Sequence, residues 1–522
     1  MRRLTRATET SILRFAWIEM SVRRPAYFED RQAWSKRRAD LPATFLCAPG
    51  PGLLRGGSMK QIAVFLLCSL ALAACITLPP PPSLGTESDV PATGAQEALT
   101  GFDGQTNGAV DQATFIDDRA VFDDVENIAD GLGPLYNAQS CRECHQNPLS
   151  GGGSQVAELR AGLRDAQGRF QTPRVPIARG KVVIEGRTLI NDRAICPSGA
   201  FPDEEIQEHV PENANIRTFR LSVNLLGDGL VEAVSDDFLR ELALRQCRDT
   251  HGRICGRAFD VPVLEAPGVN RIGRFGWKGQ QASLLSFAGD AYLNEMGITN
   301  RLLPDEVTTI CDTVADPEDK PDSAAAARRA KARTPAGVAR APAVREFADI
   351  DRFARFVRAT KAPARDAILA NTDTARKGSG LFDSVGCATC HVRNIVTVPA
   401  GTKLNGGTYT VPAALGNGLF HPFSDFLLHD VGTGDGIEIA VVEHFGRRYA
   451  HMQEHMSPTA NRIRTAPLWG VRLRSRLMHD GESLTFRDAI ERHRGEASDA
   501  HRRFSSLGEG DQEALLTFLR SL

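Results

Sequence analysis

Two pentapeptides constrain this chain more than anything else in it: "CRECH" (Cys141, Cys144, His145) and "CATCH" (Cys387, Cys390, His391). In each, two thiols three residues apart share one helical turn and a histidine follows directly. That arrangement suits covalent attachment of a c-type haem. The thiols close thioethers on the two vinyl groups, and the imidazole falls beneath the iron. Zinc would ask both Cys pairs to converge on one ion and gives no reason for a histidine after each. A thioredoxin-type dithiol wants a single Cys-X-X-Cys on a βαβ framework, and none is visible. The reading is two covalently bound c-type haems. Cys141, Cys144, Cys387 and Cys390 are the attachment points, with His145 and His391 as iron ligands.

The flanks of the second motif add a fold expectation. "NTDTARKGSGLFDSVGCATCH" reads as a Thr/Asp-capped helix that carries Leu381 and Phe382 into the motif. At the far end, "DQEALLTFLRSL" sets Leu515, Leu519 and Leu522 on one helical face. A helix delivering the motif and a C-terminal helix crossing it predict a cytochrome c domain over 347–522. Before it, "DPEDKPDSAAAARRAKARTPAGVARAPA" has no core face, which places a linker at 316–346. The first haem domain then covers 101–315, and "KVVIEGRTLI" predicts a strand inserted into a helical unit. The expected fold is mainly α: two cytochrome c-like domains with a small β-containing insertion in the first. A chain of 522 residues is long enough for that.

The formal net charge is −2 with both signs interspersed, which argues against a nucleic-acid partner. "MKQIAVFLLCSLALAAC" begins basic at Met59–Lys60, has a short apolar centre and ends in small residues. Residues 59–75 therefore read as a secretory signal peptide, too short to span a membrane. Residues 1–58 read as a doubtful N-terminal extension ahead of the true start. "LAAC" resembles a bacterial lipobox with Cys75 as the lipidated residue, and 76–100 is a Pro-rich tether. The expected location is the periplasmic side of a bacterial membrane, held there by a lipid anchor only. Of eleven cysteines, Cys47, Cys68 and Cys75 fall in this region and four in the motifs. Cys196, Cys247, Cys255 and Cys311 remain. An oxidising compartment predicts one or two disulfides among them, with the pairing open; four buried thiols are the alternative.

Further segments come in order along the chain: "GPLYNAQSCRECH", "LLGDGLVEAV", "GRFGWKGQQASL", "EMGIT", "GCATCH", "SDFLLHDVG", "RTAPLWGV" and "MHDGESLTFRDAIERHRGEA". As a set they resemble the bacterial di-haem oxidoreductase family, relatives of the di-haem cytochrome c peroxidases, over nearly all of 100–522. The resemblance implies reduction of hydrogen peroxide to water with electrons from a small cytochrome or cupredoxin. One iron is six-coordinate and receives electrons, while the other opens to peroxide beside a polar acid–base group. Some relatives carry the label thiol oxidoreductase, for which these residues supply no chemistry.

The resemblance also implies ligands. His493 stands where the related peroxidases carry a methionine ligand, so His391/His493 is expected at the second haem, with a lower potential than His/Met. A solvated helix histidine is the alternative. Met296 ends a parallel segment and is the candidate ligand opposite His145; without it the first haem is five-coordinate and is the peroxide site. The family's distal histidine has no counterpart, since the next histidine is His209. Glu232 in "GLVEAV" and His429 in "FLLHDVG" are the candidate acid–base groups, and His479 is a candidate pocket or propionate-binding residue. Arg274, Lys278, Arg464 and Arg472 are candidate propionate partners. Trp277 and Trp469 are candidates for the space between the haems. "HFGRRYAHMQEHM" (His444, His451, Met452, His455, Met456) is a weaker metal candidate. A bridging calcium is left open.

Overall fold

The computed structural model describes residues 94–314, 348–439 and 459–522, together with the backbone of a two-stranded ribbon pairing Glu443–His444 with Arg447–Arg448. All of these belong to the compact unit Pro79–Leu522. The signal segment, Cys75, most of the tether, the linker and the side chains of the His/Met cluster lie outside the described residues.

The expectation of a mainly helical, cytochrome c-like molecule is corrected. Helix accounts for 33% and strand for 16%, the strands spread over many small sheets. Helix α1 (Gln112–Phe122) starts at Asp111, whose side chain accepts the Thr114 N–H. Strand β1 (Ala157–Arg164) pairs antiparallel with β2 (Phe170–Gln171), β3 (Leu189–Ile190) and β4 (Ile216–Leu221). A hairpin of Val175–Ile177 with Val182–Ile184 stands beside them. The "KVVIEGRTLI" segment is thus part of a strand-rich wall assembled from residues 157–221, in which Val182–Ile184 pairs with Val175–Ile177 and Leu189–Ile190 with β1.

Helix α2 (Leu284–Met296) is capped by Ser283, whose hydroxyl accepts two backbone N–H groups, and stops at Gly297 in the left-handed region. Helix α3 (Asp349–Arg358) buries Ile350, Phe353, Ala354, Phe356 and Val357 on one face. That face packs into the same core as α1 and α2: the Phe356 ring lies 4.9 Å from Phe122 and 5.2 Å from Phe115, and Phe353 meets Tyr292 edge-on at 5.2 Å. Each such side chain contributes roughly 1.5–3 kcal/mol on burial. So α3, which comes after the expected linker, is built into the core of the first motif's half.

Helix α4 (Asp373–Val385) is capped by Thr372 and ends at Gly386 with φ 101°, delivering Cys387 directly. Helix α5 (Phe486–Glu491) is short and opens with a reciprocal Thr485/Asp488 capping box. The C-terminal helix α6 (Glu509–Arg520) crosses α4 over a second core containing Phe382, Phe423, Phe504, Leu515, Phe518, Leu519 and Leu522. The crossing is close: a Cβ on Gly378 would lie 1.9 Å from the Ala514 carbonyl oxygen. The expected pairing of motif-bearing and C-terminal helices is found.

Two disulfides join the four remaining cysteines, Cys196 to Cys311 and Cys247 to Cys255. Among the described residues the unpaired thiols are those of Cys141, Cys144, Cys387 and Cys390.

Candidate functional site

The first motif folds as one helical turn, Cys141–Cys144, whose Ser140 hydroxyl accepts the Glu143 N–H. His145 comes next, and its Nδ1–H donates to the Val223 carbonyl at 2.9 Å. A carbonyl can only accept, so the proton is fixed on Nδ1 and the Nε2 lone pair is left for a ligand. Burial, the largest influence, pulls the His145 pKa down to about 4, which keeps the ring neutral.

Cys141, Cys144, His145 and Met296 line a cavity of about 1520 Å³. Its polar lining includes Glu158 and Arg160 on β1 and Glu295 on α2. Arg160 holds Glu158 by two bonds of 2.8 and 2.9 Å, and Asn137 donates to Glu295 at 2.7 Å. The two carboxyls influence each other's ionisation. Burial and then the Glu158 charge push Glu295 well above the usual carboxylate range. Burial acts the same way on Glu158, but Arg160 outweighs it and holds that carboxyl low. The two shifts run in opposite directions, so a proton is held more readily by Glu295 than by Glu158.

The second motif repeats the scheme on a different backbone. His391 donates Nδ1–H to the Phe423 carbonyl at 2.9 Å, and burial brings its pKa to about 4. Each motif histidine lies beside a phenylalanine of the neighbouring helix, Phe122 at 6.4 Å and Phe382 at 6.2 Å between ring centroids. His391, Cys387 and Cys390 line a narrower cavity of about 250 Å³, and His493 lines it too. His493 lies just past the end of α5, where its Nδ1–H donates to the Ala489 carbonyl at 2.7 Å. Its Nε2 is left as the donor atom, and burial lowers its pKa. Val223 and Trp277 line both cavities, so they form a shared wall; Trp277 is fixed by donating to the Leu221 carbonyl at 2.7 Å. Trp469 lines the second cavity alone.

Several expectations are corrected. Glu232 lines neither cavity: it is fully buried in a two-point pair with Arg358 at 2.6 and 2.9 Å, and accepts from Leu284 and Asn405. Burial pushes its carboxyl up, and Arg358 more than offsets this. With its acceptor sites taken it is a structural clamp. His429 does line the second cavity, but both ring nitrogens meet carboxylates, Asp425 at 2.8 Å and Glu496 at 2.7 Å. Cys390, Asp425 and His429 place possible ligand atoms within 4.8 Å of one another. Asp425 already accepts from Gln246, so the group is satisfied without a metal. Arg274 is tied to Asp236 and lines neither cavity; Arg472 donates to the Ala364 and Leu522 carbonyls. Lys278 borders the first cavity but is bound to Asp435.

The Glu158–Arg160–Glu295 set is one that motif reasoning on the sequence misses. The available signal was "AELRAGLR", whose alternation puts Glu158 and Arg160 on one strand face.

The residues fit two haems. Each cavity has a Cys pair on its wall beside a neutral imidazole with Nε2 available, and the cavities share a wall. Burial raises all four thiols, Cys144 and Cys387 to about 12, which is the opposite of what a redox dithiol needs. Fold and site together define a two-centre haem protein. Residues 199–522 match the family described as "Di-haem oxidoreductase, putative peroxidase", and the chain belongs to that family of redox enzymes. No curated protein matches the sequence. Among solved structures, a hydrazine synthase from Kuenenia stuttgartiensis, pressurised with 20 bar xenon, is similar at 13% identity and a TM-score of 0.34. That alignment covers 84% of this chain and 99% of the other.

Proposed function

We propose that the chain is an exported di-haem c-type oxidoreductase, lipid-anchored at Cys75 on the periplasmic side. It reduces hydrogen peroxide to water with electrons from a small cytochrome or cupredoxin. The observation that carries the reading is the pair of Cys-X-X-Cys-His cavities with Trp277 and Val223 in their common wall. Cys141 with Cys144, and Cys387 with Cys390, hold the haems by thioethers. Bound haem supplies one-electron redox chemistry and an iron on which peroxide binds.

The chain's own residues do the rest. His145 and His391 are held neutral and oriented by the Val223 and Phe423 carbonyls. His493, which lines the smaller cavity with His391, would be a further ligand for the haem there, and that side would be the electron entry. The larger cavity, lined by His145 and Met296, would be the substrate side. There Glu295 presents a proton to the leaving hydroxyl, and Arg160 keeps Glu158 ionised to accept the next one. The overall balance is one peroxide, two electrons from the donor and two protons from solvent, giving two waters. Trp277 in the shared wall is the route for those electrons.

Spectra of the purified holoprotein test this. A pyridine haemochrome assay should find two covalent haems, and a high-spin ferric signal should exist at rest or after half-reduction, with peroxide turnover. Low-spin spectra in both states, without turnover, would leave a di-haem electron carrier instead.

A further inference from the structure

The smaller cavity holds positive charge that its neighbouring carboxylates do not neutralise by contact. Arg464, 6% exposed, spends its hydrogen bonds on carbonyls, Nε to Gly276 at 2.6 Å and Nη1 to Thr465 at 3.5 Å. Asp228 and Asp425 act on it only through space. Arg474 donates Nη2 to the Ser222 carbonyl at 3.0 Å. Among the described residues neither guanidinium forms an ion pair with a carboxylate. His479, 2% exposed, has a buried Nδ1 with no hydrogen-bond partner and meets Trp277 edge-on with ring centroids 6.1 Å apart.

The other buried cations behave differently. Arg160, Arg220, Arg274, Lys278 and Arg358 each contact a carboxylate. A guanidinium buried without a counter-ion is strongly unfavourable, and Arg464 with the half-buried Arg474 beside an orphaned imidazole nitrogen calls for an anion in the cavity. All three side chains line it. All three are also laced to the shared wall. The Arg464 N–H donates to the Trp277 carbonyl at 2.8 Å, Arg474 holds Ser222, and the His479 carbonyl accepts from Leu221 at 2.7 Å.

We propose that Arg464, Arg474 and His479 form a carboxylate-binding end of the smaller cavity and hold the propionates of the second haem beside Trp277. This rests on haem filling that cavity, as the proposed function requires, and adds which edge of it faces the first site. Arginine suits the task because its planar fork matches a carboxylate at two points.

The test uses holoprotein of wild type, R464Q, R474Q, R474K and, as a control lining neither of these two cavities, R472Q. Resonance Raman spectra report the propionate bending bands, and a spectroelectrochemical titration reports both midpoint potentials. The expected result is two covalent haems throughout, with one haem's propionate bands shifted and its potential lowered in R464Q and R474Q. The other haem and R472Q should stay unchanged, and R474K should recover part of the shift. If R464Q does not fold, the less buried R474Q and its lysine partner decide alone. Unchanged bands and potentials with both haems present would overturn the assignment. So would wild-type bands that move on titration with acetate or phosphate, since the cavity would then take a free anion. A haemochrome assay finding no haem at the second motif would instead sink the functional reading beneath it.

Discussion

At the scale of single residues, the sequence makes legible what lies within a few positions of a motif. The two Cys-X-X-Cys-His segments carry their chemistry locally, and His145 and His391 need only a carbonyl to fix the tautomer. His493 is an intermediate case: its position is readable, but the carbonyl that orients it belongs to Ala489, one turn back. Replacing His493 with alanine should convert one low-spin haem to high spin while leaving the other unchanged, as read by electron paramagnetic resonance. If both haems stay low-spin, His493 ligates nothing. Glu232 misleads because no sequence shows that Arg358, 126 positions on, occupies both its oxygens. Glu232→Ala should cost about 3–5 kcal/mol in urea unfolding, since it strands a buried guanidinium. A variant that unfolds normally but loses turnover would restore the acid–base role. Asp435 supplies a pH dependence. Burial raises it, but Arg220 and Lys278 bring its pKa down to about 2 from 3.8. A depressed carboxylate stabilises the fold above its unfolded pKa and stops doing so as pH falls through the folded one. About 2 kcal/mol should therefore disappear between roughly pH 4 and pH 2, and Asp435→Asn should lack that step in the same titration.

At the scale of elements, helices are legible where caps and apolar faces coincide. Thr372 and Asp373 announce α4, and Leu515, Leu519 and Leu522 lie buried against it as the periodicity requires. The strands of the first half are not. Strand β1 pairs with segments as near as Phe170–Gln171 and as far as Ile216–Leu221, and only its partners reveal that it walls the larger cavity. Disulfide pairing is equally closed to sequence, as Cys196 and Cys311 stand 115 positions apart. The α4–α6 crossing makes a direct prediction. Gly378 has no room for a methyl group, because the Ala514 carbonyl would be 1.9 Å away and is backbone that cannot swing aside. Gly378→Ala should destabilise the protein by about 1–3 kcal/mol through overpacking. Thermal unfolding followed by circular dichroism checks this. Gly380, where an added Cβ meets nothing, is the control: Gly380→Ala should be neutral or slightly stabilising.

At the scale of the whole molecule, the two motifs are one redox device only if charge passes between their cavities. Composition is silent on this, and a motif search finds two sites without saying that they adjoin. The fold supplies the link. Segment 221–223 carries the carbonyl that fixes Trp277 and the carbonyl that orients His145, so the aromatic wall and the first histidine hang on the same three residues. Trp277 also meets His479, which faces the second cavity. If that wall conducts, Trp277→Leu should slow electron transfer between the haems while leaving each haem's spectrum and the docking of the donor intact. Stopped-flow mixing of oxidised protein with a reduced donor resolves the two events, because the haem that receives electrons first reports docking and the other reports transfer. The expected trace has an unchanged fast phase and a retarded slow one, with Trp277→Phe in between. Equal rates in all three proteins would leave Trp277 a packing residue and put the electron route elsewhere in the shared wall.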